Sequence, residues 1–125
     1  MDKVEIVKTL WSKFSSGDYK GSRPLFSEKL EIVWPTSREY YESVEEFIAV
    51  NEIFGKDWTF EIRHVENTGS EGVISIVYVT SPSCPNSFYA TSVFTFSSHQ
   101  IARMETYWAF EDGQPEWRKG LSKVY

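Results

Sequence analysis

One cysteine, Cys84, occurs in 125 residues, which excludes an intramolecular disulfide framework. It lies in Ser81-Pro82-Ser83-Cys84-Pro85-Asn86, a turn-like stretch with no nearby histidine to activate its thiol. Histidine is scarce too: only His64 and His99 occur. With no His-x-x-x-His or Cys-x-x-Cys spacing, no protein-encoded metal site is expected. Neither Gly-x-x-x-x-Gly-Lys nor Gly-x-Gly-x-x-Gly is present, and the glycines fall singly at turns, so no nucleotide cofactor is expected. The serines lack a legible His/Asp arrangement for triad chemistry. No apolar run nears the roughly 18 residues of a membrane span, and the opening Met-Asp-Lys-Val-Glu-Ile-Val has no signal-peptide core. A cytoplasmic protein without a membrane partner is the default expectation.

Positive charge is also in short supply. Thirteen Lys and Arg face 18 Asp and Glu, a formal net charge of -5. The basic residues are scattered, with Arg118, Lys119 and Lys123 the one local cluster, so the concentrated basic surface that nucleic acid needs is missing. Aromatic residues, by contrast, make up 17% of the chain, including five Trp and nine Phe. That is more bulk than a core of this size requires, and it fits either an aromatic-lined cavity or a subunit interface.

The patterning describes one domain over 1–125. Asp2 and Glu5 form a capping box ahead of the helical stripe Val4, Val7, Leu10, Trp11 and Phe14, which Ser15-Ser16-Gly17-Asp18 ends. Pro24 and Leu25-Phe26 suggest a short second helix over 23–27. Leu30, Ile32 and Trp34 alternate as a strand that Pro35 stops. Ser43 and Glu46 open a third helix, with Val44, Phe47, Ile48, Asn51 and Phe54 inward and Gly55 closing it. Four strand patterns follow, at 58–66, 72–81, 87–97 and 101–110, and a meander is the simplest way to connect them. The expectation is an α+β fold of three N-terminal helices on a strongly curved, mostly antiparallel sheet, with a hollow between the layers. The strand at 72–81 is nearly apolar on both faces, so a partner subunit is expected on the outer one. The tail 111–125 is expected to pack on the domain, with Trp117 as its anchor.

The order helix, Gly17-Asp18, short helix, Leu30-Glu-Ile-Val-Trp-Pro35, helix, then four strands resembles the SnoaL-like branch of the NTF2-like superfamily. Leu25-Phe26 and the closing strand Ile101-Ala-Arg-Met-Glu-Thr-Tyr-Trp108 belong to the same resemblance, and Pro115-Glu-Trp-Arg118 is similar to the ending of uncharacterised bacterial members. The resemblance implies a cone-shaped α+β barrel with a deep apolar pocket, usually homodimeric. It also allows comparison with the ketosteroid isomerase branch, whose tyrosine, base and protonated acid positions fall on Leu10, Trp34 and Ser92. None of these can do that chemistry in that form. The same registration turns Met104, Thr106 and Trp108 toward the pocket and Glu105 and Tyr107 away.

Several polar residues are candidates for a site. His64 follows Trp58, Phe60 and Ile62 on one strand face and is a candidate base; Glu105, in mid-strand, is the other. Tyr78 and Tyr40 are candidate donors, and Tyr41 shares the loop of Tyr40. Asn51 stands on an apolar helical stripe. Trp11, Phe14, Trp34, Phe54, Trp58 and Trp108 are candidates for a ligand-binding wall, with Ser92, Met104 and Thr106 beside them. Three functions stay open at this level: a pocket for a small, largely apolar or aromatic molecule; a cyclase, isomerase or dehydratase using His64 or Glu105; and a dimeric partner-docking module.

Overall fold

A computed structural model describes all 125 residues. Helix α1 spans Lys3–Ser15, a 3-10 helix spans Lys20–Leu25, and α2 spans Val44–Phe54. The strands are β1 (Phe26–Trp34), β2 (Glu39–Tyr41), β3 (Thr59–Asn67), β4 (Val73–Ser81), β5 (Cys84–Ser97) and β6 (Gln100–Phe110). They form one six-stranded sheet in the order β2-β1-β6-β5-β4-β3.

The helix starts follow from their caps. The Asp2 carboxylate accepts the Glu5 backbone N–H at 2.8 Å, and the Ser43 hydroxyl accepts that of Glu46 at 3.2 Å. Gly17 ends α1 with φ of +74°, and a Cβ there would stand 2.9 Å from the Lys56 side chain, so both conformation and space require glycine. Pro24 falls inside the 3-10 helix, which begins earlier and ends earlier than the sequence pattern suggests.

The meander from β3 to β6 is present, and every pairing in it is antiparallel. The strongly curved cone-shaped barrel is not. The sheet is open: β2 and β3 are its edges and do not pair with one another, whereas a barrel requires that closure. It is also mixed, since β1 runs parallel to β6 with Ile32 opposite Met104 and Val33 opposite Glu105. The edge strand β2 is three residues long and arises in a stretch that reads as a polar loop.

Helix α1 lies over β3 and β4, and α2 lies against β1 and β2. The face they cover is buried: Val73, Ser75, Val77 and Val79 of β4, Ala90, Ser92 and Phe94 of β5, and Met104 and Thr106 of β6. Trp11 is the centre of this layer. Its indole stacks on Phe60 at 5.6 Å between centroids and meets Phe14 edge-on at 5.5 Å. Its Nε1–H donates to the buried Ser75 hydroxyl at 3.0 Å. Beyond Ser75, the Ser92 and Thr106 hydroxyls pair at 2.8 Å, so the polar atoms of the inner face are matched locally.

Of the tail 111–125, Glu111 is bonded to the body, accepting from Tyr78 and Ser87. Trp117 is 72% exposed, and every residue from Glu116 to Tyr125 is exposed. Farther along, the tail closes on itself: Gln114 Nε2 donates to the Ser122 carbonyl at 3.0 Å and to its hydroxyl at 2.7 Å.

Two stability outcomes follow. Trp11→Phe deletes ring volume and leaves the buried Ser75 hydroxyl without its donor, a cost of roughly 2–4 kcal/mol readable as a lower urea midpoint. Tyr19 is buried and donates to the Gly55 carbonyl at 2.5 Å, and burial raises its phenol from 10.0 to about 12. The folded state therefore prefers the neutral phenol: this contribution is complete below pH 10 and disappears as pH rises toward about 12. In urea titrations over that window, Tyr19→Phe should show a shallower loss of stability than the parent.

Candidate functional site

At the end of the sheet where β1 stops, the layers part around a cavity of about 400 Å³. Trp34, at the end of β1, and Trp108 and Phe110, at the end of β6, form one wall. Val50, Asn51 and Phe54 from the last turns of α2 form another, and Phe60 of β3 and Phe88 of β5 line the interior. Thr36, Ser37 and Glu39 complete the lining from the turn after β1 and from β2. No lysine, arginine or histidine lines the cavity, and Glu39 is its one ionisable side chain.

The aromatic wall is held by edge contacts. Trp34 meets Trp108 at 5.4 Å and Tyr41 at 4.8 Å, and Phe88 meets Trp108 at 5.3 Å. Tyr41 backs Trp34 from behind, and its phenol is pushed up to about 12, first by burial and then by Glu39 and Glu46. It is neutral across the physiological range. Trp58 stacks on Phe54 at 4.3 Å and donates its indole N–H to the Phe54 carbonyl at 3.2 Å, so it braces the wall from outside the lining.

Two polar groups in the wall are unmatched. The indole Nε1 atoms of Trp34 and Trp108 are buried and have no hydrogen-bond partner, and they are the only buried side-chain polar atoms of the protein in that condition. Asn51, also buried, donates through Nδ2 to the Phe47 carbonyl at 2.8 Å, which fixes the amide along the helix.

The residues singled out from sequence separate into three places. Trp34, Asn51, Phe54 and Trp108 line the cavity. Trp11, Phe14, Ser92, Met104 and Thr106 lie on the inner side of the sheet but are closed into the core. Leu10 is there as well. Tyr40 sits on exposed β2 opposite Val33, on the outer side.

His64, Glu105 and Tyr78, the expected catalytic group, are all on the outer face, across the sheet from the cavity. For His64 the reason is a β-bulge. The β3–β4 register slips between Ile62 and His64, so Arg63 is an extra residue and His64 pairs with the outward Ile76. Glu105 pairs with Val33 and Val93 on that face. It accepts from Arg103 at 2.8 Å and from the Tyr107 hydroxyl at 2.5 Å. These two bonds, Tyr107 first, hold its carboxyl below the usual range, the reverse of what a poised base requires. Tyr78 packs at a tilt against Tyr89 at 4.8 Å and donates its single hydroxyl proton to Glu111 at 2.8 Å, with the Ser87 hydroxyl 3.0 Å away. Its donor is already committed.

Sequence reasoning missed Thr36, Ser37, Glu39, Val50, Phe60, Phe88 and Phe110 as lining residues. Alternation put Phe60 on the inward face with Trp58 and Ile62, so its place there was available. Glu39 had no such signal, because its position depends on pairing with Trp34 across β1 and β2. No group of three His, Cys, Asp or Glu side chains comes together, and no helix is long and apolar enough to cross a membrane.

No family model matches the sequence, and neither does any curated protein. Solved structures do match in shape. A candidate ketosteroid isomerase from Kribbella flavida superposes with a TM-score of 0.83 at 12% identity, over 98% of this chain and 89% of that one. An NTF2-like protein of unknown function from Burkholderia xenovorans gives 0.76 at 18% identity, over 98% and 95%. A candidate SnoaL-like polyketide cyclase from a Jannaschia species gives 0.70 at 16%, over 85% and 84%. At such identities the likeness is one of fold: the chain shares the fold of the NTF2-like and SnoaL-like proteins.

Proposed function

We propose that the cavity binds a small, largely apolar or aromatic molecule that carries a neutral hydrogen-bond acceptor. The observation that carries this reading is the pair of partnerless indole donors in an otherwise apolar wall. A buried N–H without an acceptor is costly, and native structures rarely keep two side by side without a use for them. The cavity is the free space adjoining both rings, so a small turn of either indole presents its N–H to a carbonyl or ether oxygen lodged there.

The charge of the lining narrows the ligand further. With Glu39 at the rim and no cation in the wall, a carboxylate or phosphate would be desolvated against a like charge. A neutral ketone, quinone or lactone would not. The volume of about 400 Å³ accommodates a bicyclic or tricyclic compound. The isomerase and cyclase names of the structural relatives concern ligands of an enzyme class. In this chain the positions matching the isomerase residues are Leu10 and Ser92, both in the core, and Trp34 in the wall. Binding is therefore the reading the site supports over isomerase turnover.

The test compares two ligands of nearly one shape, 1-tetralone and tetralin, by titration calorimetry. The parent protein should bind both, and the ketone more tightly. Trp34→Phe removes the donor together with part of the ring; the lost ring volume acts on both ligands, so 1-tetralone should weaken about five- to tenfold more than tetralin, the worth of one hydrogen bond. Absence of binding for both compounds, or an equal loss for both in Trp34→Phe, defeats the proposal.

A further inference from the structure

The two indoles supply donors, and one other polar side chain is enclosed with them. Asn51 is 8% exposed and lines the cavity from α2. It stands on the stripe of Val44, Phe47, Ile48 and Phe54, where a leucine would pack without the cost of desolvating an amide. Its Nδ2 donates back one helical turn to the Phe47 carbonyl at 2.8 Å, which satisfies half of the group. A carbonyl can receive only from the NH2 end, so this bond also sets which end of the amide is which. Oδ1 is the free end, and no donor of the protein reaches it.

Contacts around the cavity put Asn51 across from the indoles. Trp34 meets Trp108 at 5.4 Å, Trp108 meets Phe88 at 5.3 Å, and Phe88 meets Phe54 at 6.1 Å. Phe47 closes the circuit by meeting Trp34 at 6.4 Å. Phe47 and Phe54 both belong to α2, and Asn51 falls between them on the same helical face. The circuit is therefore aromatic on the sheet side and holds one amide on the helix side. A ligand inside it meets indole N–H donors at one edge and the Asn51 acceptor at the other.

Thr36, Ser37 and Glu39 are the remaining polar side chains of the lining, and all three are exposed. Water satisfies them as well as a ligand does, so they discriminate weakly. Little water reaches Asn51. An enclosed acceptor rewards a ligand that brings a donor and penalises one that buries it unpaired.

We propose that Asn51 is the specificity-determining acceptor of this cavity, an inference that rests on the binding reading above. It selects neutral ring compounds that carry a hydroxyl or ring N–H on the edge opposite their carbonyl. The indoles hold the carbonyl, Asn51 holds the donor, and the two together fix which way round the rings lie. A plain ketone satisfies one edge only.

Titration calorimetry in mildly acidic buffer, where the phenol is neutral, compares 6-hydroxy-1-tetralone with 1-tetralone and 6-methoxy-1-tetralone. The hydroxyl sits across the fused rings from the carbonyl, and the methoxy compound keeps that oxygen without its proton. The parent should bind the hydroxyl compound about fivefold more tightly than either of the others, the worth of one hydrogen bond. In Asn51→Leu that preference should vanish or invert, because the hydroxyl then meets an apolar side chain. Thermal unfolding checks that the variant folds. Asn51→Ala removes the same oxygen without adding bulk and gives the same comparison if the leucine variant does not fold. The proposal is overturned if the parent shows no hydroxyl preference while still binding 1-tetralone over tetralin, a result that leaves the binding reading standing. A preference that survives the loss of the Asn51 amide, or that disappears in Glu39→Gln, overturns it as well. If no tetralone binds at all, the binding reading fails and this one with it.

Discussion

The parallel pairing of β1 with β6 is the constraint on which the cavity depends. Parallel neighbours need a long crossover, and here that connection contains α2 and the rest of the meander. The register that sets Ile32 against Met104 brings Trp34 to 5.4 Å from Trp108, two residues that begin 74 positions apart in sequence. Pro35 then ends the strand, the chain doubles back as β2, and Glu39 arrives opposite Trp34. Helix α2 closes the space by laying Asn51 and Phe54 along its open side.

The inner side of the sheet contains two kinds of polar group, and the contrast between them locates the site. In the core, Trp11 is matched to Ser75 and Ser92 to Thr106, so four buried polar side chains need nothing more. Their geometry is that of a finished interior, which adds specificity to the packing of α1 on the sheet. At the cavity, Trp34 and Trp108 offer the same indole donor and find no acceptor. One residue type in two settings separates what completes the fold from what is left for a ligand.

Acid–base groups and the cavity are segregated to opposite faces. Glu105, Arg103, Glu31 and Tyr107 form a bonded cluster on the outer side, and Tyr78, Ser87 and Glu111 form another. These clusters order a surface. The cavity is left nearly uncharged, which suits recognition by shape, apolar burial and neutral hydrogen bonds.

How much of this was legible depends on the range of the interaction responsible. The caps of α1 and α2 and the alternation along β4, β5 and β6 act within a few residues, so the sequence by itself determined α1, α2 and the meander; alternation put Met104, Thr106 and Trp108 on one face, and which face that is came from the family resemblance. The same alternation failed on β3, because the bulge at Arg63 follows from pairing with β4 and reversed the direction of His64. It failed again at β2, whose polar Glu39–Tyr41 becomes a strand only by binding the edge of β1. Openness of the sheet, the parallel neighbour, the meeting of Trp34 with Trp108 and the exposure of Trp117 were decided by tertiary structure alone. Each is a contact, or a missing contact, between segments far apart in the chain. Local periodicity fixes which way a side chain points along its own strand; only the assembled layers fix what it points at.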